Sequence, residues 1–361
     1  MNSQTLTQNN RKYDARQIAR FHRLRPWLGW ARAITIVWNF AWFILGLKWD
    51  DFRGLAEGHK LKRAVQLRKM LVRLGPAFIK VGQALSTRPD LIRKDFLEEL
   101  IKLQDQLPPF NNALALRQIQ SELGHPIKEI FSELSPAPVA AASLGQVYRG
   151  RLLTGEEVAV KVQRPNLRPI LSLDLYLMRW AAGWLAPWLP LNLGHDLTLI
   201  VDEFGTKLFE EIDYLNEGRN AERFATNFRN DPQVKVPAIY WRYTTTRVLT
   251  LEWLNGFKLT DTDSIIAAGL EPQEIIQIAV KSGLQQLLEH GFFHADPHPG
   301  NLFAMPDGRM GYIDFGMMDQ LSETTKETLV DAIVHLINKD YTDLAGDYVK
   351  LGFLPPDTDI R

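Results

Sequence analysis

Three groups of side chains along the chain are of types that together can handle a phosphate ester. Val158-Ala159-Val160-Lys161 places one lysine on an alternating apolar stretch. His294-Ala295-Asp296-Pro297-His298-Pro299-Gly300-Asn301 sets a carboxylate and an amide in one short loop, and Asp314-Phe315-Gly316 adds a second carboxylate soon after. Phosphoryl transfer asks little covalent work of a protein: the phosphates must be neutralised, one or two Mg²⁺ ions held, and the accepting oxygen aligned. Lys161 suits the α and β phosphates, Asp296 suits the proton of the accepting group, and Asn301 with Asp314 offers the hard oxygen ligands that Mg²⁺ prefers. The lysine strand alone carries little weight, since many surface strands hold a lysine.

His294 and His298 admit a second chemistry, transition-metal ligation, because several ligand types crowd one loop. Two prolines restrict that loop and no further ligand cluster occurs elsewhere in the sequence. A hydrogen-bonded scaffold is the better role for His294. The Asp296-to-Asn301 interval and the order lysine strand, loop, Asp-Phe-Gly follow the protein-kinase pattern HxDxxxxN and DFG. The expected ligands are therefore ATP or ADP with Mg²⁺, Mn²⁺ being the alternative ion.

These residues need particular elements beneath them. Ala64, Leu67, Leu71 and Leu74 recur at helical spacing, Gly75-Pro76 supplies a stop and restart, a second helix carries Phe78 to Gln83, and a third is centred on Ile92 to Leu103. From Pro138 the pattern turns β-rich: the Ala140-Ala141-Ala142-Ser143 loop, a strand through Gln146 to Gly150, the Thr154-Gly155 turn, then the lysine strand. Helices are predicted for 171–185 and 197–228, and a strand for 247–254, in which Glu252 would lie near the adenine-side hinge. A helix over 272–290, closed by Gly291, leads to the His294 loop. A hairpin turning at Pro306-Asp307-Gly308 then delivers Asp314. A last helix over 325–337 precedes a brief tail. Glu210, Glu211, Asp213, Glu217 and Glu222 lie on one helical stretch and include candidate partners for Lys161, although such a run is also the usual solvated face of a helix. Trp180, Trp184 and Trp188 share a face at i, i+4, i+8, and core packing is the expectation for them, with membrane or partner contact as the alternative.

The chain has 361 residues, with 42 Lys plus Arg balancing 42 Asp plus Glu, so its charge does not indicate a nucleic-acid partner. No cysteine is present, which removes disulfides, thiolate metal sites and cysteine nucleophiles and fits a reducing compartment. Near the N-terminus, basic residues from Arg11 to Arg32 precede the apolar run Ala33 to Leu47. The long basic segment and the following Lys48-Trp49-Asp50-Asp51 argue against a secretory signal, and a run of about 15 residues is shorter than the roughly 20 needed to span a bilayer. Two readings stay open: a buried helix, or an interfacial anchor in which Trp27, Trp30, Trp38, Trp42 and Trp49 meet a membrane.

With these residues in place, the chain from about Leu61 to Asn338 resembles the UbiB/AarF-domain-containing (ADCK-like) atypical kinases, a group associated with isoprenoid quinone biosynthesis and homeostasis. Lys80-Val81-Gly82-Gln83 resembles the family's KxGQ motif, Ser86 to Asp90 and Leu103-Gln104-Asp105 resemble flanking family segments, and Ala140-Ala141-Ala142-Ser143 resembles its alanine-rich nucleotide loop. Glu211-Ile212-Asp213 resembles the ExD motif, with Glu217 at the position that pairs with Lys161. The resemblance implies an α+β, bilobal protein-kinase-like fold with a helical N-terminal extension that brings Lys80 near Glu211 and Asp213, restricting large protein substrates. It implies an N-terminal segment (1–60), a KxGQ extension (61–137), an N-lobe (138–255) and a C-lobe (256–361) shorter than is usual. No room is left after Gly316 for a long activation segment, and alanines in the phosphate loop narrow its backbone freedom. The implied partners are a nucleotide, a prenylquinone precursor or lipid, quinone-biosynthesis proteins and the cytoplasmic side of a membrane. The alternatives are a non-catalytic nucleotide-binding scaffold or lipid-extraction regulator, and a small-molecule kinase of the aminoglycoside phosphotransferase type.

Overall fold

The computed structural model describes residues 12–104, 107–186, 196–355 and 358. Asp105, Pro187 and Trp188 lie outside them. The chain divides into two compact units, Met1–Leu215 with Tyr240–Glu252, and Asn216–Ile239 with Trp253–Arg361.

The first unit begins with α1 (Ala15–Arg23), capped by the Asp14 carboxylate, and α2 (Pro26–Phe52), which starts on a proline that has no amide hydrogen to lose. The 27 residues of α2 are long and apolar enough to cross a bilayer, so the reading that the run is too short is corrected. Counting apolar residues stops at Lys48, but the helix continues. Asp50 is tolerated inside because the Arg63 guanidinium and the His59 ring hold its carboxylate and keep its pKa low. Neither sequence reading of α2 holds for the whole helix. Ile36, Phe40, Phe43 and Leu47 pack into the core on one face, while Trp27, Trp30, Ile34, Trp38, Trp42, Leu45, Trp49 and Phe52 stand exposed on the other.

Helices α3 (Lys60–Leu74) and α4 (Pro76–Ser86) are separated by Gly75, whose φ of 99° ends one helix before Pro76 starts the next. They pack with α5 (Lys94–Ile101) around Leu71, Leu74, Phe78 and Leu100. The short helices α6 (Asn112–Leu123) and α7 (Ile127–Ile130) follow. They lead into β1 (Phe131–Leu134), β2 (Ala140–Ala141), β3 (Gly145–Leu152) and β4 (Glu157–Gln163). The sheet order is β1-β3-β4-β6 with β2 beside β3, β6 being Val248–Glu252. Ala115 and Ile119 of α6 close one face of the sheet over Tyr148, Val158 and Val160.

Helix α8 (Leu167–Leu185) buries Leu167, Leu171 and Leu175. Trp180 lies about half a turn round from Leu171, on the opposite face. Trp180 and Trp184 are accordingly 65% and 64% exposed, which corrects the core assignment made from their spacing. The single helix predicted over 197–228 is two: α9 (Leu197–Glu211) and α10 (Tyr214–Asn227). Asp213 makes the break by accepting the Leu215 amide at 3.2 Å, a side-chain-to-backbone bond that competes with continuing the helix.

The second unit contains most of α10 and two small sheets. One runs β5-β10-β9-β7 (Val234–Lys235, Met310–Tyr312, Leu302–Ala304, Phe257–Lys258). The other pairs β8 (Phe292–His294) with β11 (Met318–Gln320). Its helices are α11 (Thr262–Ala267), α12 (Pro272–Leu284) continued by a π-helical turn over Gln285–His290, α13 (Glu323–Asn338) and α14 (Tyr341–Lys350). Helix α14 replaces part of the expected tail. From Gly316 the chain passes directly into β11 and α13, with no long segment between.

Candidate active site

In the first unit, the Lys80 ammonium forms an ion pair with Glu211, the last residue of α9, and both side chains are largely withdrawn from solvent. Lys80 stands on α4, whose neighbouring residues explain the rest of its motif. A Cβ at Gly82 would fall 2.5 Å from a Leu103 methyl and 2.8 Å from one of Leu71, so only glycine lets α4 sit this close. Buried Gln83 donates from Nε2 to the Leu103 carbonyl at 2.8 Å. The motif thus supplies one charge and two packing devices. Asp213 accepts the Leu215 amide through Oδ1 at the start of α10, as described above.

Lys161 lies in the middle of β4, opposite Val147 on β3 and Leu249 on β6, and Glu252 ends β6 opposite Val158. The alanine-rich stretch is a hairpin edge rather than an open loop. Ala140 and Ala141 pair with Val147 and Gln146, and the Ala142 amide donates to the Gly145 carbonyl at 2.8 Å. Ser143 is buried. Arg164, which sequence reasoning did not single out, donates to the Ala142 carbonyl at 3.0 Å and to the Pro108 carbonyl at 2.8 Å.

In the second unit, one imidazole organises the loop residues. His294 is buried; its Nδ1 accepts the Asp296 amide at 3.1 Å and its Nε2 donates to the Asp314 carbonyl at 2.9 Å. That pattern requires the Nε2–H tautomer and occupies both ring nitrogens, so the ring serves as a scaffold and offers no lone pair to a metal. His298 likewise accepts the Gly300 amide through Nδ1 at 3.0 Å. Asn301 ends the short 3-10 turn Pro299–Asn301 and donates from Nδ2 to the Asp296 carbonyl at 3.4 Å, which leaves its amide oxygen as the atom for a hard cation. Asp314 follows β10 and accepts the Gly316 amide at 2.9 Å.

A buried polar chain holds His294 in turn. Gln286, in the π-helical turn, accepts the His294 amide at 2.9 Å and donates to the Tyr312 hydroxyl at 2.9 Å, which also pairs with Ser282. Asn220 of α10 donates to the Phe315 carbonyl at 3.0 Å while the Phe315 ring packs on Phe224. Sequence reading missed Gln286 and Asn220, because an amide inside an amphipathic helix gives no signal of what it will meet. Glu217 lies in the first turn of α10 and is 3% exposed. Among the described residues, no three His, Asp or Glu side chains gather as a metal cluster.

A family model for the ABC1 atypical kinase-like domain matches residues 102–347. An uncharacterized Synechocystis protein is 67% identical over 352 residues, covering 98% of this chain and 62% of its own length. The Arabidopsis thaliana chloroplastic protein ACTIVITY OF BC1 COMPLEX KINASE 1 is 49% identical over 331 residues, 91% of this chain and 48% of its own. The chain spans about half to three-fifths of the length of the curated relatives it matches. Among solved structures, the Mycobacterium tuberculosis protein Rv3197, in complex with erythromycin, aligns with a TM-score of 0.58 at 30% identity, over 87% of this chain and 78% of that one. It shows the same kind of fold, helices leading into a kinase-like domain of mixed helices and sheets. By the family match and by these relatives, the chain belongs to the ABC1 atypical kinase family.

Proposed function

We propose that this chain is an atypical kinase or ATPase that uses Mg²⁺ and ATP at a membrane surface and supports isoprenoid quinone biosynthesis or homeostasis. The observation that carries the nucleotide chemistry is the His294 bridge, which fixes the backbones of Asp296 and Asp314 on one ring. Asn301 and Asp314 would hold the cation, which when bound neutralises developing phosphate charge. Lys161 would take the α and β phosphates, with Glu217 as its partner, and Asp296 would orient the accepting oxygen and receive its proton. The Lys80–Glu211 pair supports a role for the N-terminal extension in narrowing what reaches these groups, favouring water or a small acceptor over a protein.

The membrane part rests on the outer face of α2, where Trp27, Trp30, Trp38, Trp42 and Trp49 stand exposed, and on the basic residues of α1, which precedes it, a composition suited to an anionic interface. The quinone role rests on the family resemblance. The test is single-turnover phosphate release from ATP with the wild-type chain and Asp314→Asn, with and without anionic vesicles and alkylphenols. Loss of about 10²-fold or more in the variant is expected, the scale for removing one electrostatic catalytic group. Undiminished Mg²⁺-dependent turnover would overturn the assignment.

A further inference from the structure

Helix α3 carries six cations and no acid: Lys60, Lys62, Arg63, Arg68, Lys69 and Arg73. Three of them are matched, Lys60 by Glu57, Arg63 by Asp50 and Arg68 by Glu99. The other three, Lys62, Lys69 and Arg73, are exposed and have no ion-pair or side-chain hydrogen-bond partner among the described residues. At about 100° per residue they fall within about 40° of one another, so the unmatched charge forms one stripe. Lys69 and Arg73 stand one turn apart, where like charges repel. An anion between them would relieve that repulsion.

The stripe lines a groove of about 770 Å³ against α2, within the usual size of ligand pockets. Asn39 and Trp42 line it from α2, and no acidic residue among the described ones does. Arg63 holds the two helices together, donating to the Asp50 carboxylate at 2.5 Å, to the Gln66 Oε1 at 2.7 Å and to the Gly46 carbonyl at 2.7 Å. The groove is therefore preformed, and Gln66, which also lines it, keeps its Nε2 hydrogens to donate. Trp42 is exposed and stacks on the exposed Trp38, 6.4 Å between centroids, so the cationic groove runs into the indole face of α2.

We propose that the α2–α3 groove binds one anionic phospholipid, its phosphate held by Lys69, Arg73 and the Gln66 amide and its acyl chains leaving along Trp42 and Trp38. The spacing i, i+3, i+7 puts Gln66, Lys69 and Arg73 on one face, and a guanidinium suits a phosphate through paired bonds. Lys62 lies about 10 Å further along the helix from Lys69, so it attracts the surrounding anionic surface without touching that phosphate. The proposal rests on the membrane reading of α2 for the source of the lipid.

The experiment titrates the full chain by calorimetry with dihexanoylphosphatidylglycerol below its micelle threshold, with dihexanoylphosphatidylcholine and with glycerol 1-phosphate. Flotation on dioleoylphosphatidylglycerol vesicles runs in parallel. The wild type is expected to bind the monomeric phosphatidylglycerol more tightly than either other probe. Lys69→Gln/Arg73→Gln should weaken that binding about 25-fold, roughly fivefold for each cation. Lys62→Gln should lose about fivefold on vesicles and stay within about twofold of wild type for the monomeric lipid. Equal affinity for phosphatidylcholine, equal affinity for glycerol 1-phosphate, or a double variant that binds the monomeric lipid as the wild type does would each overturn the proposal. A wild type that binds the monomeric lipid but ignores the vesicles would overturn the membrane reading and leave the groove assigned.

Discussion

Removing the guanidinium of Arg32 should be among the most damaging single changes on α2. Arg32 meets the Asp174 carboxylate of α8 through two bonds, 2.7 Å from Nε and 2.8 Å from a terminal nitrogen, and also donates to the Leu74 carbonyl at the end of α3. Asp174 is fully buried, and burial raises its pKa even though Arg32 pulls the other way. The ion pair therefore does not recover the whole cost of burying the charge. Arg32→Met strands that carboxylate, and breaking a buried pair from one side costs ~3–5 kcal/mol. For a unit of this size, that lowers Tm by about 10 °C. The sign of the pH effect follows from the raised pKa. Folding favours the protonated carboxyl, so the related stability is present at low pH and lost as pH rises through the folded value. Without Arg32 that value rises further, so the deficit should be largest near neutrality and shrink on acidification. The assay is urea unfolding by fluorescence at several pH values, with Arg32→Met/Asp174→Leu as companion; the double variant should recover more than half of the loss. A single variant within about 1 kcal/mol of wild type, or a double variant no better than the single, would refute the reasoning.

Gly82→Ala should destabilise the first unit by about 1–3 kcal/mol, because the new methyl meets Leu103 and Leu71 well inside contact distance; denaturant midpoints measure it, and an unchanged midpoint would contradict the close packing of α4. Gln286→Leu leaves the His294 amide and the Tyr312 hydroxyl each short of a partner, at about 1–3 kcal/mol, and turnover should fall with stability; full activity would show that the His294 bridge stands without this support. The hydrogen bond from His335 to Asp347, 2.7 Å across α13 and α14, raises the histidine pKa, while Lys350 and then His335 lower that of Asp347. The histidine's contribution is present below the ordinary imidazole value and lost as pH rises through the folded one, so NMR titration should place His335 above a free histidine and Asp347→Asn should remove that difference.

What could be read beforehand followed from local chemistry. The order of Lys161, Asp296, Asn301 and Asp314, the Gly75-Pro76 stop and the Pro306-Asp307-Gly308 turn each state their own structure, since residue type and spacing fix the conformation within a few residues. What was missed depended on partners distant in sequence. Asp50 reads as the end of an apolar run until Arg63 and His59 are placed against it. Asp213 reads as an acid within one continuous helix until its carboxylate takes the Leu215 amide and starts α10, and Trp180 reads as core because spacing gives a face without saying which way that face points. The packing role of Gly82 was invisible for the same reason, as Leu71 and Leu103 come from two other segments.

The hairpin edge formed by Ala140 to Gly145 has a consequence in time rather than in affinity. A glycine-rich loop is a flap that must settle over its ligand. Here the backbone is already paired with β3, and Arg164 clasps the turn through the Ala142 carbonyl. Nucleotide capture by such an edge should proceed without a slow settling phase, so stopped-flow traces with a fluorescent ATP analogue should rise in one exponential whose rate grows linearly with concentration. Arg164→Ala, by loosening the turn, should bring in a second phase that reaches a plateau.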